Sequence, residues 1–223
     1  MVRSVASSTF GFLTVMSKPP WSIPAAHKRK TGDPAENTIY LAVGRALTKW
    51  EGLEAEIASL FAVLTGGADR WYFVPSVRAF GVSKSSIVRA DMIERAAEAF
   101  FLYFDSKGLH NETMVFETEL KALMKAYTGW VARRNDIAHG YVTATGHPDY
   151  LAEKQLFITT YLLLPSHSSL KWPIDWDPDP AFKYRGSDID KFAAEFEALD
   201  KAVSAYSHRL DQWRKETLAK FPQ

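Results

Sequence analysis

The chain has 223 residues, 47% of them hydrophobic and 24% charged, which excludes collagen-like, fibrous and wholly disordered classes and gives one domain of about 150 to 200 residues ample apolar material for a core. Its 27 Lys and Arg against 26 Asp and Glu leave a formal net charge of +1, so no global field draws it to nucleic acid or anionic membrane and any polyanion site must be local. The absence of cysteine excludes disulfide scaffolds, thiolate zinc sites, iron–sulfur clusters and cysteine nucleophiles together.

Residues 1–32 read as an irregular N-terminal arm, with Pro19, Pro20 and Pro24 as breakers and a basic run from His27 to Lys30 that suits a solvated tail. The uncharged stretch Ser4 to Ser17 is diluted by serines and threonines and makes a poor signal peptide, and no segment approaches the ~20 apolar residues of a membrane span. A cytoplasmic, water-soluble protein with no membrane partner is the expectation.

A single domain is expected over residues 33–223. Asp33-Pro34-Ala35-Glu36 has the order of an N-cap, a first-turn proline and a capping-box glutamate, so a helix is expected to open there. Ile39, Val43, Ala46, Trp50, Leu53, Ile57, Leu60 and Leu64 then recur at spacings of three and four, and Gly66-Gly67 supplies the stop. After a Trp71-Tyr72-Phe73 segment, a second helix is expected from about Ser83, with Ile87, Ala90, Ile93, Ala97, Phe100 and Phe104 on its apolar face. A third is expected to start at Asn111 as N-cap and to carry Phe116, Leu120, Leu123, Tyr127 and Trp130; continued, that stripe reaches Arg134 and Ile137.

From Tyr141 to Gly186 the period changes. Tyr141–Thr145, Gln155–Leu164 and Ala181–Arg185 read as strands of a small antiparallel sheet or hairpin, and Pro165–Pro180 as a loop packing by its aromatics. The chain closes with Ile189, Phe192, Phe196, Leu199, Val203, Tyr206, Leu210 and Trp213 at helical spacing, a long amphipathic helix. The expected fold is all-α, an antiparallel four-to-five-helix bundle with a β insertion over about 141–186 before the last helix.

The third helix ends in a polar cluster. Arg134 stands where the stripe would place an aliphatic residue, Asn135 and His139 are four apart on one face, and Gly140 is expected to stop the helix in the left-handed conformation. Arg and His also suit the carbonyl end of a helix without any further role. Arg134 and His139 lie about 140° apart around the axis, so convergence on one atom calls for fraying at Gly140 or for two copies meeting across a two-fold axis. Glu51, Glu54 and Glu56 on the first helix are candidate partners for Arg134; a tight carboxylate pair favours a structural role, an open guanidinium beside His139 a site.

Arg134-Asn135-Asp136-Ile137-Ala138-His139 resembles the Arg, polar residue, three further residues, His signature of the HEPN superfamily, helical-bundle and often dimeric proteins in which the motif ends a long third helix. By architecture the resemblance covers roughly residues 34–219. It implies a homodimer that acts on RNA as a metal-independent endoribonuclease of toxin–antitoxin, defence or RNA-processing systems, with no cofactor and no metal. An imidazole, with an ordinary pKa near ~6.5, exchanges protons with an RNA 2′-hydroxyl or a leaving 5′-oxygen. His139 is then the acid/base, Arg134 the phosphate clamp with forked hydrogen bonds, and Asn135 an orienting group. Arg133 and Tyr141 are candidate binding residues. In one subgroup a tyrosine two residues after the histidine, as Tyr141 is here, is adenylylated by a partner antitoxin. The alternative within the same family is a non-catalytic module for dimerisation or for binding a ligand or regulatory protein.

Other constellations carry less. Asp175-Trp176-Asp177-Pro178-Asp179 opens like a calcium loop, but Pro180 takes the glycine position and Gly186 that of the bidentate glutamate. His147 with Asp149, and His167 alone, lack the further ligands a metal needs, and Asn111-Glu112-Thr113 reads as a helix cap rather than a glycosylation site.

Overall fold

A computed structural model of the chain describes residues 19–22, 31–66, 70–149, 156–166 and 180–221. Within them lie α1 (Glu36–Leu64), α2 (Arg70–Gly81), α3 (Ser86–Asp105), α4 (His110–His139), β1 (Tyr141–Asp149), β2 (Leu156–Leu164) and α5 (Gly186–Lys220). The stripes read from the sequence form the core: Ile39, Ala46, Trp50, Leu53, Ile57, Leu60 and Leu64 of α1 and Ile189 through Leu210 of α5 are buried, with Val43 and Trp213 packed at its margin. Trp50 sits where three helices meet, stacked on Tyr127 of α4 at 5.4 Å and edge-on to Phe196 of α5 at 5.1 Å.

The helices alternate in direction. Phe61 meets Phe80, and Thr65 meets Ser76, so α2 runs back along α1. Arg209 pairs with Glu119 and Trp213 donates to Glu112, which makes α4 and α5 antiparallel. Arg45 pairs with Asp190 and Lys49 with Glu197, so α1 and α5, first and fifth in the alternation, run in the same sense.

The insertion is a two-stranded antiparallel hairpin with Tyr141 opposite Leu164 and Asp149 opposite Leu156. The other side of β2 holds two single bridges, Asp33 to Tyr161 and Tyr184 to Leu163. Ala181–Arg185 is therefore not a strand: Tyr184 alone pairs, with Leu163, at 2.9 and 3.0 Å. The starts of α1 and α5 are both tied to this hairpin, because Asp33 also accepts from the Gly186 amide at 2.7 Å through its carboxylate.

Several boundaries differ from the sequence expectation. Asp33 does not cap α1; it is spent on β2 and α5, and α1 starts after an extended Ala35 that has no side-chain cap. The Trp71–Phe73 segment belongs to α2, which continues through Pro75. The second expected helix, α3, starts at Ser86 with Ser85 as its N-cap, and Ile87, assigned to its apolar face, is 66% exposed. Asn111 lies inside α4, whose N-cap is Leu109. Gly140 is extended, at φ −72° and ψ 161°, because α4 passes directly into β1. A Cβ there would lie 2.7 Å from the Asp136 carbonyl oxygen and 2.9 Å from Leu163 Cγ, so close approach is what requires glycine.

Part of the N-terminal arm is ordered against the bundle, where Trp21 packs on Gly129 and edge-on to Trp130 at 6.4 Å. The Ser4–Ser17 stretch, the basic run His27–Lys30, Gly67, the Asp175–Asp179 run and His167 lie outside the described residues. Among the described residues no helix is long and apolar enough to cross a membrane.

Candidate functional site

The last two turns of α4 divide their side chains between two faces. At about 100° per residue, Arg134, Asn135 and His139 centre on one side of the axis and Arg133 and Asp136 roughly 150° away. The first set opens onto a cleft of about 440 Å³ bounded by α1, the start of α3 and α4. Arg134, Asn135 and His139 all line it, together with Glu51, Glu54, Lys84 and Arg89. Asn135 and His139 are exposed and Arg134 is half-buried. A single chain thus brings the three motif residues to one cleft without fraying of α4.

Arg134 has no carboxylate partner among the described residues. Its Nη1 donates to the Asn135 side-chain oxygen at 3.3 Å, and its Nε is buried with no acceptor. The glutamate that faces the cleft floor is committed elsewhere. Glu54, 6% exposed, accepts from Trp50 Nε1 at 3.0 Å, Ser86 Oγ at 2.9 Å and Tyr127 OH at 2.8 Å on one oxygen, and from Arg89 Nη1 at 2.6 Å on the other. Burial, and then the Glu54 charge, push the Tyr127 hydroxyl well above the ordinary tyrosine range, so it stays a donor. Glu54 therefore fastens α1, α3 and α4 together beneath the cleft. Its place on the buried face was readable from the sequence, since it stands four residues after Trp50 and three before Ile57.

The α3 side is also positive. The helix begins here, with the Ser85 hydroxyl accepting from the Val88 amide at 3.4 Å, and its free first-turn amides carry the positive end of the helix dipole. Lys84 precedes the cap with no ion pair among the described residues, and Arg89 is held by Glu54 and by the Ser83 carbonyl oxygen at 2.9 Å. No family model, curated protein or solved structure matches the chain.

Arg133 and Tyr141 are not brought to the cleft. Arg133, 8% exposed, turns to the opposite face, where its Nη1 donates to Tyr184 OH at 2.8 Å and pairs with Asp136 at 3.1 Å. Burial raises the Asp136 carboxyl above its ordinary value against the pull of Arg133 and the Tyr184 hydroxyl. Burial and the Asp136 charge push Tyr184 far up, which keeps it protonated. Tyr141 opens β1 opposite Leu164 and is part-buried. Among the described residues no group of three or more His, Asp or Glu side chains could hold a metal ion.

The arrangement suits an anion with several oxygens. It offers a guanidinium without a carboxylate partner among the described residues, a second cation in Lys84, a helix N-terminus and an imidazole on one concave surface.

Proposed function

We propose that the chain is a HEPN-type endoribonuclease that cuts RNA without a metal ion, in a toxin–antitoxin, defence or RNA-processing setting. The observation that carries this reading is the guanidinium of Arg134, which has no carboxylate partner among the described residues, in the same cleft as His139. A purely structural arginine at this position would be paired with a carboxylate within the fold, as Arg133 is with Asp136.

In this reading Arg134 grips the non-bridging oxygens of the scissile phosphate. His139 takes the proton from the 2′-hydroxyl, whose oxygen attacks the phosphorus, and the bond to the 5′-oxygen breaks. The products are a 2′,3′-cyclic phosphate and a 5′-hydroxyl, the leaving oxygen receiving a proton. Asn135, bonded to Arg134, holds the guanidinium in its plane. Exposure of Asn135 and His139 leaves both free to face a second copy of α4, so that a homodimer supplies one imidazole as base and another as acid.

The test is cleavage of total RNA by the protein and by His139→Ala in excess chelator. Cleavage by the parent, with a loss of about 100-fold or more in the folded variant, is the expected result. Arrest by the chelator, or an alanine variant that still cuts, overturns the assignment.

A further inference from the structure

The motif is held from behind by a residue of the insertion. Arg133 and Asp136 flank Arg134 and Asn135 in the chain and face away from the cleft, and one hydroxyl joins them: Tyr184 OH donates to Asp136 Oδ2 at 2.8 Å and accepts from Arg133 Nη1 at 2.8 Å. The ring that carries this hydroxyl is fully buried. It stacks on Phe182 at 4.5 Å and meets Phe192 of α5 edge-on at 5.2 Å. Its backbone is paired in both directions with Leu163 of β2. A hydroxyl fixed in this way, with donor and acceptor both used, leaves Arg133 and Asp136 little freedom to rotate. The last turn of α4 needs such a brace, because its final carbonyls have no helical partner and Gly140 leaves at once into β1.

We propose that Tyr184 is a positioning residue for the cleft: through Arg133 and Asp136 it fixes the rotation of the end of α4, and with it the aim of Arg134 and His139. The kinetic part of this inference rests on the endoribonuclease reading, while its geometric part does not. The segment that leads into α5, bridged to the hairpin at Leu163, thereby acts as the support of the motif.

Tyr184→Phe keeps the ring and its stack and removes only the hydroxyl. Tyr206→Phe is the matched control, since Tyr206 is also a buried tyrosine, in α5, whose hydroxyl donates to α4, at the Phe116 carbonyl oxygen (3.1 Å), far from the motif. With an RNA substrate and folding checked by circular dichroism, Tyr184→Phe is expected to lower kcat about tenfold or more with KM within about twofold, and Tyr206→Phe to change neither. In NMR spectra the Arg134 Nε–H and His139 ring signals shift in Tyr184→Phe and stay in place in Tyr206→Phe. If Tyr184→Phe does not fold, Asp136→Asn, which keeps an acceptor for Tyr184 but removes the charge facing Arg133, is expected to give the same loss and the same shifts. Unchanged kcat with unmoved Arg134 and His139 signals in a folded variant overturns the positioning role. A parent that does not cut RNA defeats the endoribonuclease reading alone, and the NMR shifts then decide the positioning on their own.

Discussion

A buried guanidinium N–H without an acceptor costs about 1–3 kcal/mol, and Arg133 and Arg134 both bear that cost at Nε, while Glu54, which lines the same cleft as Arg134, is taken by four other donors. That Arg134, Asn135 and His139 form a polar cluster at the end of α4 was legible in the sequence, because a charge in an apolar stripe followed by a polar pair four residues apart is a local pattern; that one chain brings them to a single cleft was not. The different fates of Arg133 and Arg134 were not legible. Neighbours on a helix differ by about 100°, and only the position of Tyr184, some fifty residues away in the chain and bonded to both Arg133 and its ion-pair partner Asp136, shows which of the two is held within the fold.

The Asp136 carboxyl gives this network a pH signature. Its pKa is raised in the folded state, so the folded protein binds the proton more readily than the unfolded chain, and its contribution to stability falls as pH rises from the ordinary carboxylate value through the raised one. Asp105, held low by the hydrogen bonds of Thr113 and His110, works in the opposite direction, as do Glu197 and Asp211, so a single acid titration mixes them all. The comparison that isolates Asp136 is denaturant unfolding of wild type and Asp136→Asn across this range. The stability of wild type relative to the variant is expected to rise as the pH is lowered; a difference independent of pH would contradict the shift.

Helix boundaries were harder to read than helix faces. The stripes of α1, α4 and α5 survive in the core almost residue for residue, because burial enforces periodicity along the whole helix. The caps did not survive, since Asp33 and Asn111 have alternatives that tertiary structure supplies: the first bonds β2 and α5, and the second lies one residue inside its helix. The helix α2 was hidden by Pro75, which reads as a breaker. Packing of Phe80 in the core against Phe61 favours the helix despite the lost hydrogen bond.

Gly140 is the element-scale residue with a sharp consequence. The join of α4 to β1 leaves no space for a methyl group beside the Asp136 and Leu164 carbonyls, the second at 3.0 Å. Gly140→Ala is expected to destabilise the fold by about 1–3 kcal/mol in chemical denaturation, through displacement of the hairpin or the end of α4. A neutral substitution would show that this junction yields easily.

For the molecule as a whole, the bundle with its hairpin insertion was legible from alternating periods, 3.6 for the helices and 2 for the strands. What the periods could not show was which helices are neighbours. The parallel pairing of α1 with α5 depends on α2 returning the chain, and the cleft exists because Glu54 draws the start of α3 against α1 and α4. On a chain of net charge +1, Lys84, Arg89 and Arg134 share the cleft with Glu51 and Glu54, so the field there is local and modest.

The central claim is that this cleft cleaves RNA by attack of the RNA's own 2′-hydroxyl. Its most direct test is cleavage of an RNA oligonucleotide beside the same oligonucleotide carrying a single 2′-deoxy residue at the mapped cut. The account predicts cutting of the first, with a cyclic phosphate at the new end, and no cutting of the second at that bond. Equal cutting of both would contradict it.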